Sequence, residues 1–139
     1  MNAKEYLLQI KKIRRRVNLL QAEVDRLRTD AESVSINLDG MPRGKGKSSW
    51  ENLAIQLAEC ESILQEQLSA LWSKQMEAIL LLGKLKPKHQ QILTEYYIAD
   101  KTWEQIAYEQ GITWRHCYRL HGSALAELDK VMEDERGID

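Results

Sequence analysis

Phenylalanine is absent from this chain, and its 139 residues include only two prolines, seven glycines and two cysteines. So few backbone breakers exclude a collagen-like or proline-rich chain. Cys60 and Cys117 fall at apolar helical positions. They read as buried small hydrophobes in a reducing compartment, not as a disulfide framework. No apolar run approaches the roughly 18 residues of a membrane span, and polar residues interrupt the N-terminus too often for a signal peptide. A cytoplasmic protein without a membrane partner is the expectation. Alternating β-branched and polar stretches are also missing, which argues against strands. Charge of one sign is not in excess either, since the net charge is -1.

What is abundant is Leu, Ala, Glu, Gln, Lys and Arg, the residues that lose least on entering a helix. With 43% hydrophobic and 29% charged residues, the chain can fold, and an all-α class is predicted. Ala3, Tyr6, Ile10, Ile13, Val17, Leu20, Val24, Leu27, Ala31 and Val34 alternate spacings of 3 and 4. That is a heptad seam, with charged faces between. It ends at residues 37–49, where three glycines and Pro42 predict a loop. Ser48 and Glu51 form a capping-box pattern for a second helix reaching about Gly83. Its seam reads Trp50, Leu53, Leu57, Cys60, Leu64, Leu68 and Leu71, with a stutter between Leu64 and Leu68. Two long helices joined by one loop predict an antiparallel hairpin; a parallel dimer through the first helix competes with it.

Lys86-Pro87-Lys88 marks a boundary. Three shorter helical patterns follow, at about 88–99, 102–110 and 113–132. The predicted organisation is a helical arm over 1–85, a second domain over 86–132 and an acidic tail over 133–139. Within the second domain Thr102 and Gln105 form a capping box, and Ile106 and Ala107 point inward. Gly111 supplies a left-handed turn residue four positions after Ala107. Thr113 then caps a last helix whose inward face is Cys117, Leu120, Ala124, Leu125 and Leu128. A small residue at a close crossing followed by a turn glycine is the steric logic of a helix-turn-helix.

Charge is distributed unevenly along the chain. Residues 1–49 carry +5, residues 50–83 carry −4 and residues 84–139 carry −2. From Ile112 to Gly122 there are Arg115, His116, Arg119 and His121 and no acid. Such a local basic face can meet a phosphate backbone even in a neutral protein. A helix of this kind enters the major groove by its N-terminal end. The candidate DNA-binding residues are therefore Trp114, Arg115, His116, Tyr118 and Arg119, with Thr102 and Thr113 at the two helix starts. Lys84, Lys86, Lys88 and Lys101 are expected near the backbone.

Ile92-Leu93, Tyr96-Tyr97, Thr102 to Ala107, Gly111-Ile112-Thr113 and Ala124 to Leu128 resemble region 4 of the sigma-70 family. With Ala3-Lys4-Glu5-Tyr6-Leu7 and Tyr118-Arg119-Leu120-His121, the chain is similar to phage and prophage sigma-like proteins related to ArpU-type late-gene regulators. It departs from their pattern at Gln110, where an apolar residue is usual, and at Asp100, where glycine is common. The resemblance implies DNA-binding regulation. The expected protein is a non-enzymatic transcription regulator in a bacterial host cell, with double-stranded DNA as partner and the helical arm supplying either dimerisation or a contact to RNA polymerase.

Other readings stand beside this one. Cys117 and His121 share a helix face but lack further ligands at zinc spacing, so no metal or other cofactor is expected. Gly46-Lys47-Ser48 resembles the end of a phosphate loop, but the spacing from Gly40 is one residue too long. The basic loop residues Arg43, Lys45 and Lys47, and the cluster Lys11 to Arg16, read as solvated faces or as further DNA contacts. Trp114 could pack on the preceding helix, and Trp103 reads as core. A small-terminase-like packaging protein and a coiled-coil adaptor without DNA are the alternative functions. No paired nucleophile and base suggests catalysis.

Overall fold

The computed structural model describes the backbone of residues 1–37 and 45–137, and the side chains of residues 1–33 and 49–137. Among the described residues the chain is all-helical, without strands. Helix α1 spans Ala3–Asn37, α2 Lys45–Leu82, α3 Pro87–Leu93, α4 Trp103–Gln110 and α5 Trp114–Gly137. Residues Thr94–Ile98 continue α3 as a wider π turn. Most of the predicted 37–49 loop lies outside the described residues, as do the side chains of Val34, Arg43, Lys45 and Lys47. Helix α2 starts at Lys45, ahead of Ser48 and Glu51, so their pattern does not mark its beginning.

The chain divides into two compact units, Met1–Ile13 with Leu71–Asp139, and Arg14–Ala70. The boundary expected near residue 85 falls inside the first unit. In the second unit Val17, Val24 and Leu27 of α1 are buried, as are Cys60 and Leu64 of α2. The thiol of Cys60 lies 3.9 Å from the Leu20 carbonyl, and Arg28 pairs with Glu61 at 3.1 Å. The α1 seam is thus the one its 3-4 spacing predicts. The α2 seam is not. Trp50 and Leu68 are exposed, and half-buried Gln67 takes the inward place three residues after Leu64. The 3-4 spacing therefore continues without a stutter, because that register holds one face of the helix inward.

In the first unit the start of α1 is held firmly. Asn2 caps it, with its side chain accepting from the Glu5 amide at 2.8 Å. The Ala3 amide donates to Asp129 of α5 at 2.7 Å, and Arg136 donates to the Met1 carbonyl at 2.9 Å. Ala3, Leu7 and Ile10 are fully buried, and the Tyr6 hydroxyl donates to Glu77 of α2 at 2.9 Å. Residues 133–137, expected as a separate acidic tail, instead complete α5. Their anchors are Arg136 and the pair between Lys84 and Glu135. The rest of this core comprises Leu71, Ala78, Leu82, Leu85, Ile92, Leu93, Tyr97, Ile106, Ala107, Cys117, Ala124 and Leu128. Each fully buried Leu or Ile contributes about 1.5–3 kcal/mol by leaving water.

Candidate nucleic-acid interface

Two local features orient α4 and α5. Thr102 caps α4: its hydroxyl accepts from the Gln105 amide at 3.1 Å, while the Gln105 side chain accepts from the Thr102 amide at 2.9 Å. At the other end Gly111 takes φ 64 and ψ 35, a left-handed conformation that glycine adopts without steric cost. The chain turns there, and Thr113 caps α5 by accepting from the His116 amide at 3.1 Å. Ile106 and Ala107 of α4 are buried, as are Cys117, Ala124 and Leu128 of α5. Burial pushes the Cys117 thiol pKa up, which keeps it protonated and unreactive.

That packing leaves Trp114, Arg115, Tyr118 and Arg119 exposed on one face of α5. Trp114 and Tyr118 are 46% and 47% exposed and meet edge to face at 5.1 Å. Tyr118 also touches Trp103, at 5.5 Å between ring centres, and half-buried Trp103 stacks on Tyr96 at 3.9 Å. An aromatic series thus leads from beside the core to the surface of α5. Trp114 belongs to its exposed end. His116 is half-buried rather than presented on this face. Gly122, on the same face two turns after Arg115, has open space where a side chain would be.

Beneath the aromatic face, the Tyr97 hydroxyl hydrogen-bonds Nε2 of His121 at 2.7 Å. Burial, with Lys4 nearby, lowers the His121 pKa to about 4, so the imidazole is neutral at physiological pH. Cys117 and His121 both belong to the packed interior side of α5. Among the described residues, no three His, Cys, Asp or Glu side chains converge in a way that could hold a metal ion.

Helix α1 reaches this region as well. Lys11 lies 3.9 Å above the Tyr96 ring and pairs with Asp100 at 3.1 Å. Asp100 itself has φ 59, the conformation usually left to glycine. Lys11, Tyr96, Asp100, Lys101, Thr102, Trp103, Glu104 and Trp114 line one open cleft of about 450 Å³. Sequence reasoning missed the place of Lys11, because no spacing rule links α1 to residues about ninety positions away.

The lysines expected as backbone contacts fare differently. Lys88 is exposed on α3. Lys101, by contrast, pairs with Glu109 at 2.6 Å and Glu95 at 3.6 Å, and Lys84 pairs with Glu135. The Lys86 amide donates to Glu127 at 2.9 Å. That bond and His89 hold the Glu127 carboxyl below its usual pKa. Gln110, the departure from an apolar residue, donates to Glu95 at 2.7 Å and so meets its polar need inside the fold. Comparison with known proteins finds no matching family model, no similar curated protein and no similar solved structure.

Proposed function

We propose that this protein binds duplex DNA sequence-specifically, with α4 and α5 acting as a helix-turn-helix and the first two turns of α5 entering the major groove. One observation carries the reading. The exposed face of α5 bears two arginines one turn apart and two aromatic rings, and no acid occurs from Ile112 to Gly122. Arg115 and Arg119 supply donors for guanine edges or phosphates. Trp114 and Tyr118 supply apolar contact for thymine methyls and sugars. The left-handed Gly111 and the small, buried Ala107 support the close helix crossing that such a motif needs. Thr102 and Thr113, at the two helix starts, add hydroxyl donors for phosphates. With Lys101 and Lys84 engaged by carboxylates, the exposed Lys86 and Lys88 remain to add charge.

On this reading the protein is a transcription regulator of the phage and prophage sigma-like kind, acting in a bacterial cytoplasm beside RNA polymerase. Within the unit Arg14–Ala70, α1 and α2 pair as an antiparallel hairpin. The test is a fluorescence titration against a pool of random duplex DNA at low and moderate salt, with sequencing of the bound fraction. Salt-sensitive binding with an enriched motif is expected. Arg115→Ala and Arg119→Ala should each weaken binding to that motif by about 5- to 150-fold, the worth of one good base contact. Their helical circular dichroism should stay unchanged. Wild-type affinity in both variants sinks the proposed face.

A further inference from the structure

Most of the described lysines are exposed, and Lys11 is not. Its side chain is 12% exposed, against 53% for Lys84 and 33% for Lys101. Helix α1 brings its ammonium to 3.9 Å from the centre of the Tyr96 ring and 6.0 Å from that of Tyr97. Asp100 pairs with it at 3.1 Å, from a left-handed backbone position between the π turn and α4. The negative face of an aromatic ring holds a cation, and holds it more strongly as water leaves. Contacts continue outward from Tyr96. Its ring stacks on Trp103 at 3.9 Å with 12° between the planes, Trp103 meets Tyr118 at 5.5 Å, and Tyr118 meets Trp114 edge to face at 5.1 Å. Lys11 and Trp114 line the same cleft. The series therefore begins on α1 and ends on the exposed face of α5, each ring resting on the one before it.

We infer that Lys11 is a positioning residue for DNA recognition: by holding Tyr96 and Asp100 it fixes the stack on which Tyr118 and Trp114 rest. This rests on the reading of α5 as the DNA-binding face. It differs from the reading of Lys11 as a solvated charge or a phosphate contact, because the ammonium is already engaged by a ring and a carboxylate and has little access to water. An exposed Tyr or Trp otherwise turns about its side-chain bonds, and ordering it on contact with DNA costs affinity. Rings that are already stacked lose less. Stacking by itself is broad in geometry. A cation above the ring centre, tied to Asp100 just before α4, sets the place of Tyr96 relative to that helix. Helix α1 thereby acts in recognition without itself touching DNA.

The test uses the full chain and the duplex motif enriched in the titration above. Lys11→Met keeps the length and apolar bulk of the side chain and removes its charge. It should weaken binding to the motif by about 5- to 30-fold, the worth of a cation–ring contact taken out of water, through a smaller population of binding-competent protein. Lys11→Arg stacks and pairs in the same way and should restore most of the affinity. Asp100→Asn tolerates the left-handed backbone and removes only the ion pair, so it should weaken binding in the same direction but less. The slope of log affinity against log salt should keep its wild-type value in Lys11→Met, whereas a lost phosphate contact lowers it by about 0.9. In a Tyr118→Ala background Lys11→Met should cost less than about 2-fold, because the ring it serves is gone. Helical circular dichroism should match wild type throughout; loss of helix in Lys11→Met would make the role one of folding and overturn the inference. Wild-type affinity in Lys11→Met, a lowered salt slope, an undiminished loss in the Tyr118→Ala background, or no rescue by arginine would each overturn it too. Arg115→Ala and Arg119→Ala would then still weaken binding and leave the DNA reading standing. A wild-type chain that binds no duplex removes both.

Discussion

Gly122 sits in the interior of α5 on the face that carries Arg115 and Arg119, and a methyl group built there would touch nothing within 4 Å. Its φ is not left-handed, so the backbone does not require glycine. In a helix interior glycine is worse than alanine by about 0.8–1.0 kcal/mol, because it loses more backbone entropy on folding. Gly122→Ala should therefore stabilise the protein by nearly that amount, since no clash offsets it. For a chain of this size the gain raises Tm by roughly 3 °C. If the face lies against DNA, the missing side chain lets the α5 backbone approach closely, and the added methyl group obstructs that approach. The variant should melt later and bind the selected DNA motif more weakly. Thermal unfolding by circular dichroism reads the first effect, and the titration described above reads the second. An unchanged or lower Tm refutes the helix argument. A higher Tm with undiminished affinity shows that this part of α5 does not meet DNA.

Three further outcomes follow from the packing. Leu7→Ala should destabilise the protein by about 2–5 kcal/mol in denaturant titration, because Leu7 is fully buried in the unit that holds α4 and α5. A loss under 1 kcal/mol would show that α1 does not seal that core. Thr102→Ala should cost about 1 kcal/mol by removing the α4 cap, and Thr102→Ser should recover most of it. Equal stability of the two variants would count against the cap. Stability should also depend on pH through His121. The unfolded chain takes up this proton near pH 6.5, whereas the folded imidazole resists it until about pH 4. Stability therefore falls as pH drops from 6.5 towards 4, by about 1–2 kcal/mol after discounting for solvent screening of a half-buried ring. His121→Gln should flatten that part of the pH profile; an unaltered slope would assign it to other groups.

The paired lysines sharpen what a DNA interface on this protein can be. Lys101 and Lys84 are balanced by carboxylates, and residues 133–137 extend α5 with further acids. The exposed cations of this face are Arg115 and Arg119 on α5, with Lys86 and Lys88 exposed at the start of α3. If this face meets DNA, the contact should touch few phosphates, and its affinity should fall less steeply with salt than that of a broadly basic domain.

Much of this architecture was legible in the residues. The helix formers, the 3-4 spacing of α1, the helix start at Pro87, the Thr102 capping box, the Gly111 turn and the inward face of α5 are local patterns, each with a local cause. They placed α3, α4 and α5 to within a few residues, except at the end of α5. Other features had no local cause. Leu68 looked like a seam residue and Gln67 did not, yet the inward register passes through Gln67, because helix packing selects a face by geometry and tolerates a polar residue there. The acidic end of α5 reads as a tail until Lys84 and the Met1 carbonyl are placed beside it. The helical class, the starts of α3, α4 and α5 and the basic face of α5 can be read from the residues alone, since these depend on neighbours three or four residues away. Packing in three dimensions is what brings the start of α1 into the core with α4 and α5, sets Lys11 on Tyr96, pairs Lys84 and Lys101 with carboxylates, and leaves Trp72, Met76, Ile79 and Leu80 of α2 exposed. Those depend on which distant surfaces exclude water together, and no spacing along the chain encodes that directly.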